Sequence, residues 1–95
     1  MGSAGIEAGT VVSSKAGRDR GQYYLVVGSL NNSMVLVADG VRRQTVKPKK
    51  KNVKHLRIHS KPVAEISEKL AGGRRVSDLK VRELLRVFVE KEVCE

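Results

Sequence analysis

Ninety-five residues, 40% of them apolar, with 19 Lys and Arg against 10 Asp and Glu, make a chain of net charge +9, long enough for one small domain and too apolar for wholesale disorder. No apolar run approaches the roughly 20 residues that cross a bilayer, and nothing at the start of the chain has the pattern of a secretory signal. The single cysteine, Cys94, supplies neither an internal disulfide nor a zinc cluster, so a cytoplasmic protein with no membrane partner is expected.

Residues 1–8 (MGSAGIEA) are small and weakly patterned and read as a flexible N-terminal arm. From Gly9 the chain reads as β. A short β-branched stretch, 10–13, is followed by a glycine-punctuated loop and then by 22–28 (QYYLVVG), rich in aromatic and β-branched residues. Asn31-Asn32 suits a turn, and 33–38 (SMVLVA) is apolar and of strand length. Asp39-Gly40 is a strong hairpin signal, because a type I′ turn needs positive φ at both central residues. It predicts that 41–46 (VRRQTV) folds back on 33–38 as a fourth strand. Residues 47–52 (KPKKKN) read as a loop, since Pro48 has no amide to donate and neighbouring lysines repel. The stretch 53–59 (VKHLRIH) reads as a fifth strand, with Leu56 and Ile58 on one face and His55, Arg57 and His59 on the other.

The period changes after Ser60. Ser60 is placed to cap a helix whose first turn holds Pro62, with Val63, Ile66 and Leu70 at helical spacing and Gly72-Gly73 ending it. Ser77 is placed to cap a second helix near 78–91, with Val81, Leu84, Leu85 and Phe88 along one face. The expected architecture is mainly β with C-terminal helices: a small five-stranded barrel over 9–60, which closes its edges, and a helical extension over 61–95.

The charge is concentrated. Residues 42–61 hold nine basic residues and no acid, while the segments on either side are each neutral. Such a block attracts a polyanion, whereas scattered charge serves solubility. A solvated basic loop is the plain alternative. Against it, the block lies between folded segments and its bases continue into a strand-like stretch.

The stretch Gly9–Gly28 (GTVVSSKAGRDRGQYYLVVG) resembles the KOW motif of ribosomal and transcription-elongation proteins, with Gly21 at the place of the motif's defining glycine. Asp39–Leu56 (DGVRRQTVKPKKKNVKHL) resembles the segment that follows that hairpin in bacterial KOW-domain RNA-binding proteins. These in turn are similar to the archaeal and eukaryotic large-subunit ribosomal protein fourteen family. The resemblance implies an SH3-like barrel that binds RNA, in a ribosomal or translation-related setting with rRNA or the ribosome as partner. One departure is Tyr23-Tyr24, bulkier than the small residue expected after the glycine, which leaves open which tyrosine faces the core.

The candidate RNA-binding residues fall in three groups: Lys15, Arg18 and Arg20 in the first loop; Arg42 and Arg43 after Asp39-Gly40; and Lys47, Lys49, Lys50, Lys51, Asn52, Lys54 and Arg57 in the lysine run and fifth strand. Lysines act as point charges on phosphates, and arginines fork across phosphate oxygens or stack on bases. Asn52 serves equally as a base-edge partner or as a turn former. With only Tyr23, Tyr24 and Phe88 as aromatics, a stacking platform for single strands is missing, so recognition of structured RNA through phosphates and shape is expected. Changing Lys49, Lys50 and Lys51 together to Ala is expected to weaken RNA binding and leave the domain folded.

Catalysis is not expected. His55 and His59, if on one strand face, stand roughly 13 Å apart, too far to share a metal ion, and no phosphate-binding loop or nucleophile–base pair has supporting context. No cofactor and no metal are expected. The alternative reading is a protein-interaction module of SH3-like type, an adaptor in translation or transcription, with a partner held through the barrel or the amphipathic residues 62–92. A free monomer is expected.

Overall fold

The computed structural model describes residues 6–93. Five antiparallel strands, β1 (Val11–Ser14), β2 (Tyr23–Ser29), β3 (Met34–Ala38), β4 (Lys49–Asn52) and β5 (Leu56–Ile58), form one sheet in the order β4-β3-β2-β1-β5. Two helices follow, α1 (Ala64–Ala71) and α2 (Asp78–Val93). This is the mainly β class with C-terminal helices that the sequence predicts. A 3-10 turn, Val53–His55, carries the chain from β4 to β5, which lie at opposite edges of the sheet. Asn52 and Leu56 reach at most about 14 Å from one another, whereas five flat strands spread their outer members about 19 Å apart. The sheet therefore curls. It does not close: no ladder joins β4 to β5 among the described residues, so the expected barrel is open between them.

Both faces of the central strands are buried. Val12, Tyr24 and Val26 face inward with Ile6, Val35, Val37 and Leu56. Their chain neighbours Val11 and Leu25 face outward and pack against Ile66, Val76, Val81 and Leu85 from the helical segment. Side chains alternate across a strand, so a strand covered on both sides must be apolar without interruption, which accounts for the Val-Val and Tyr-Tyr-Leu-Val-Val runs. The helical stripe is thus spent on the chain's own sheet. Tyr24 is the tyrosine that faces the inner core; Tyr23 lies on the outer face, half-buried, with its ring stacked 4.7 Å from that of His59.

Several expectations are corrected. Residues 41–46 form no strand, and the lysine run read as a loop supplies β4, paired in register with β3. Among the described residues only glycines have positive φ, so Asp39 does not enter a type I′ turn. Its Oδ1 instead accepts the amides of Val41 and Arg43, both at 2.9 Å, and opens a wide arm over residues 39–48. The arm is tied to the N-terminus of α2: the Thr45 amide donates to Asp78 Oδ1 at 2.8 Å and the Arg82 guanidinium to the Gly40 carbonyl at 2.9 Å. Ser60 caps no helix; its hydroxyl accepts the Val11 amide at 3.2 Å, and α1 starts after Val63, beyond Pro62. Ser77 does cap α2, accepting the Lys80 amide at 3.1 Å. Ile6, expected in a loose arm, is buried in the inner core; residues 1–5 and Cys94 lie outside the described residues.

Candidate nucleic-acid interface

The loop between β1 and β2 is closed at its base, where the Gly21 amide donates to the Ser14 carbonyl at 2.7 Å. Gly21 has φ +89° with open space around it, so its role is the backbone conformation and not a close approach. Asp19 turns inward from this loop and accepts hydrogen bonds from the Tyr24 hydroxyl at 2.7 Å, the Ser14 hydroxyl at 2.9 Å and Lys51 Nζ at 2.9 Å. Lys49 Nζ stands 3.4 Å from its other oxygen. Burial pushes the Asp19 carboxyl up, but the hydrogen bonds from Tyr24, Lys51 and Ser14 and the Lys51 charge prevail and hold it well below the ordinary carboxylate range. The Tyr24 phenol is pushed up, by burial first and then by its bond to Asp19 and the neighbouring negative charge.

With Asp19 held inward, Arg18 and Arg20 on either side of it are exposed. They line a cleft of about 400 Å³ together with Arg42 and Arg43 from the 39–48 arm and Lys49 from β4. Gln22, Tyr24 and Asp19 complete its walls. Five cations thus meet one carboxylate whose charge is already shared with Lys51. The fold brings together parts of all three predicted groups, across 31 residues of sequence from Arg18 to Lys49.

The remaining predicted residues divide. Lys51 is a correction: at 9% exposure, with its ammonium on Asp19 and on the Ser14 hydroxyl at 3.1 Å, it is a structural ion and not a surface contact. Asn52 takes the turn-forming role, its Oδ1 accepting the Lys54 amide at 2.9 Å to cap the 3-10 turn. Lys15, Lys47, Lys50, Lys54 and Arg57 are exposed but do not line the cleft. Lys50 stands opposite Leu36 in the ladder, so it points away from Lys49 and Lys51, and Arg57 lies opposite Ser13 on the outer face of β5. His55 belongs to the 3-10 turn and not to a strand, and His59 Nε2 lies 2.7 Å from the Ser13 hydroxyl.

Asp19, Tyr24 and Gln22 are the residues that sequence reasoning missed. Asp19 had a signal: it is the one acid within a basic loop, and any lysine that turns inward needs a counter-charge.

No group of three or more metal-ligating side chains assembles among the described residues, and no helix there is long and apolar enough to cross a membrane. No protein-family model matches the chain, and no curated protein matches it at a significant level. The KOW resemblance rests on the residues quoted for it.

Proposed function

We propose that this protein binds structured RNA through the arginine cleft between the β1–β2 loop and the 39–48 arm, in a ribosomal or translation-related setting. One observation carries the reading. Arg18, Arg20, Arg42, Arg43 and Lys49, separated in sequence, line one concave surface, and the loop that presents two of them is anchored by a part-buried ion pair. Guanidinium groups match phosphate oxygens two at a time, and a fixed concave array suits the shape of a folded RNA more than a flexible single strand. The KOW resemblance supports RNA over DNA and supplies the ribosomal setting. A protein adaptor working through the helices is less well supported, because the apolar stripe of α1 and α2 is packed on the sheet.

The test is binding of the purified chain to a structured RNA, such as an rRNA fragment, at several salt concentrations. Neutralising about five phosphates gives a slope of log K against log salt of roughly −4.5 for a duplex. A slope near zero refutes the reading. Crosslinking followed by sequencing of the attached RNA then identifies the target.

A further inference from the structure

A second groove lies beside the arginine cleft. It runs between the Gly21–Tyr23 turn and α2, has a volume of about 480 Å³, and shares Gln22 and Arg42 with the cleft. Its character is different. Tyr23, Val41, Leu85 and Val89 give it an apolar lining, with Arg42 and Arg82 beside them. Val41 is 67% exposed and Val89 38%, so these apolar side chains are not covered by the chain itself. Arg86 also lines the groove and is paired with Glu90 at 3.1 Å. The groove's own carboxylate, Asp39, is engaged by the Gln22 amide at 3.2 Å and by the backbone of the arm.

We infer that this groove receives one unpaired nucleobase of the RNA whose phosphates occupy the arginine cleft. The inference rests on the RNA reading of that cleft. A base has apolar faces, and it is joined through one sugar to its own phosphate. Its site must therefore be apolar, edged by cations and continuous with a phosphate site, and this groove meets all three conditions. Arg42 stands at the junction, where its guanidinium can reach a phosphate on one side or lie against a base on the other. Unstacked bases in bulges and loops are the parts of a folded RNA most readily placed on aromatic rings and guanidinium planes. The occupant is any base and not a chosen one, since the amide of Gln22 is the only uncharged polar side-chain group in the lining besides the Tyr23 hydroxyl. An apolar peptide would fill the groove but has no phosphate to place in the adjoining cleft.

Three RNA hairpins, each closed by the same non-nucleotide linker so that no loop base is unpaired, test this: one fully paired, one with a single extrahelical adenosine, and one with an abasic site at that extrahelical position. The adenosine hairpin is expected to bind about tenfold more tightly than the abasic one, and the fully paired hairpin to bind like the abasic one. Because the comparison changes the RNA and not the protein, it does not depend on any variant folding. The double variant Val41→Ser, Val89→Ser, both at exposed positions, is expected to remove most of the adenosine advantage and leave the affinity for the paired hairpin unchanged. If the adenosine and abasic hairpins bind equally while the paired hairpin keeps its salt-dependent binding, the base site is refuted and the RNA-binding cleft stands. An adenosine advantage that survives the double variant also refutes this groove as its source. If no hairpin binds at low salt, both readings fall together.

Discussion

Lys51 Nζ lies 2.9 Å from Asp19 Oδ1, an ion pair that joins β4 to the β1–β2 loop across 32 residues of sequence. The lysine side chain is 10% exposed and the aspartate 18%. Removing the cation takes away the closer of the carboxylate's two ammonium partners and leaves it the Tyr24 and Ser14 hydroxyls and the more distant Lys49. Lys51→Met is therefore expected to destabilise the domain by about 2 kcal/mol. Lys50→Ala, on the exposed side of the same strand, is expected to change stability by less than about 0.5 kcal/mol. Chemical denaturation of the two variants checks this. A triple alanine change at Lys49, Lys50 and Lys51 would confound stability with binding, so Lys50 must be tested apart from Lys51.

The same carboxylate sets an acid dependence. Native Asp19 titrates well below its ordinary value of 3.8. As pH falls past that value the unfolded chain takes up a proton that the native state does not, so protonation favours unfolding. The contribution is complete above pH 3.8 and is lost as pH falls toward the native pKa. Denaturation midpoints measured from pH 5 to about 2 are expected to fall less steeply for Asp19→Asn than for the unaltered chain. Equal slopes would show that the carboxylate is not held in this way.

The Asp19–Lys51 pair also marks the limit of what was legible in the sequence. Strands β1, β2 and β3, the second helix and the confinement of charge to one block follow from local pattern, and local pattern is what periodicity reports. Strand β4 was not legible because its warrant is not local. Three consecutive lysines look incompatible with a ladder until one of them meets an acid 32 residues away. Once that pair is known, the run makes sense as an edge strand: lysines and an inward-pointing charge discourage pairing with another chain, and Pro48 stands just before the strand. Residues 41–46 misled for the converse reason. VRRQTV has strand composition, but Asp39 and Asp78 take up its amides before a ladder does. The site was half legible. The arginines were found by charge, and the cleft that selects five of the predicted cations depends on where the 39–48 arm is anchored.

That selection can be measured. Arg18, Arg20, Arg42 and Arg43 line the cleft, whereas Lys15, Lys54 and Arg57 do not. Changing each of the first four to Gln is expected to weaken RNA binding and make the salt slope shallower by about 1 for each phosphate no longer neutralised. Lys15→Gln, Lys54→Gln and Arg57→Gln are expected to leave the slope within about 0.3 of its starting value. Equal effects in the two sets would mean that the charge acts as a diffuse field and that the cleft has no special part in binding.

Two glycines with nearly the same positive φ should respond differently to alanine. Gly21 has φ +89° and nothing within 4 Å of a Cβ built on it. Gly21→Ala meets only the left-handed backbone cost, about 1–2 kcal/mol, and Gly21→Asn should recover part of that because Asn tolerates the conformation. Gly40 has φ +80°, but a Cβ there would stand 2.5 Å from the Asp78 carbonyl and 2.8 Å from Arg82 Cγ. Either the arm or the start of α2 must move, and that movement breaks the bonds from Arg82 to Gly40 and from Thr45 to Asp78. Gly40→Ala and Gly40→Asn are both expected to cost more than about 3 kcal/mol, with no rescue by Asn. Arg42 and Arg43 ride on this arm, so whatever folded protein remains should also bind RNA less tightly. Thermal melts of the four variants, followed by RNA titration below each transition, separate the two positions. A Gly40→Ala protein as stable as Gly21→Ala would show that the arm is not held against α2.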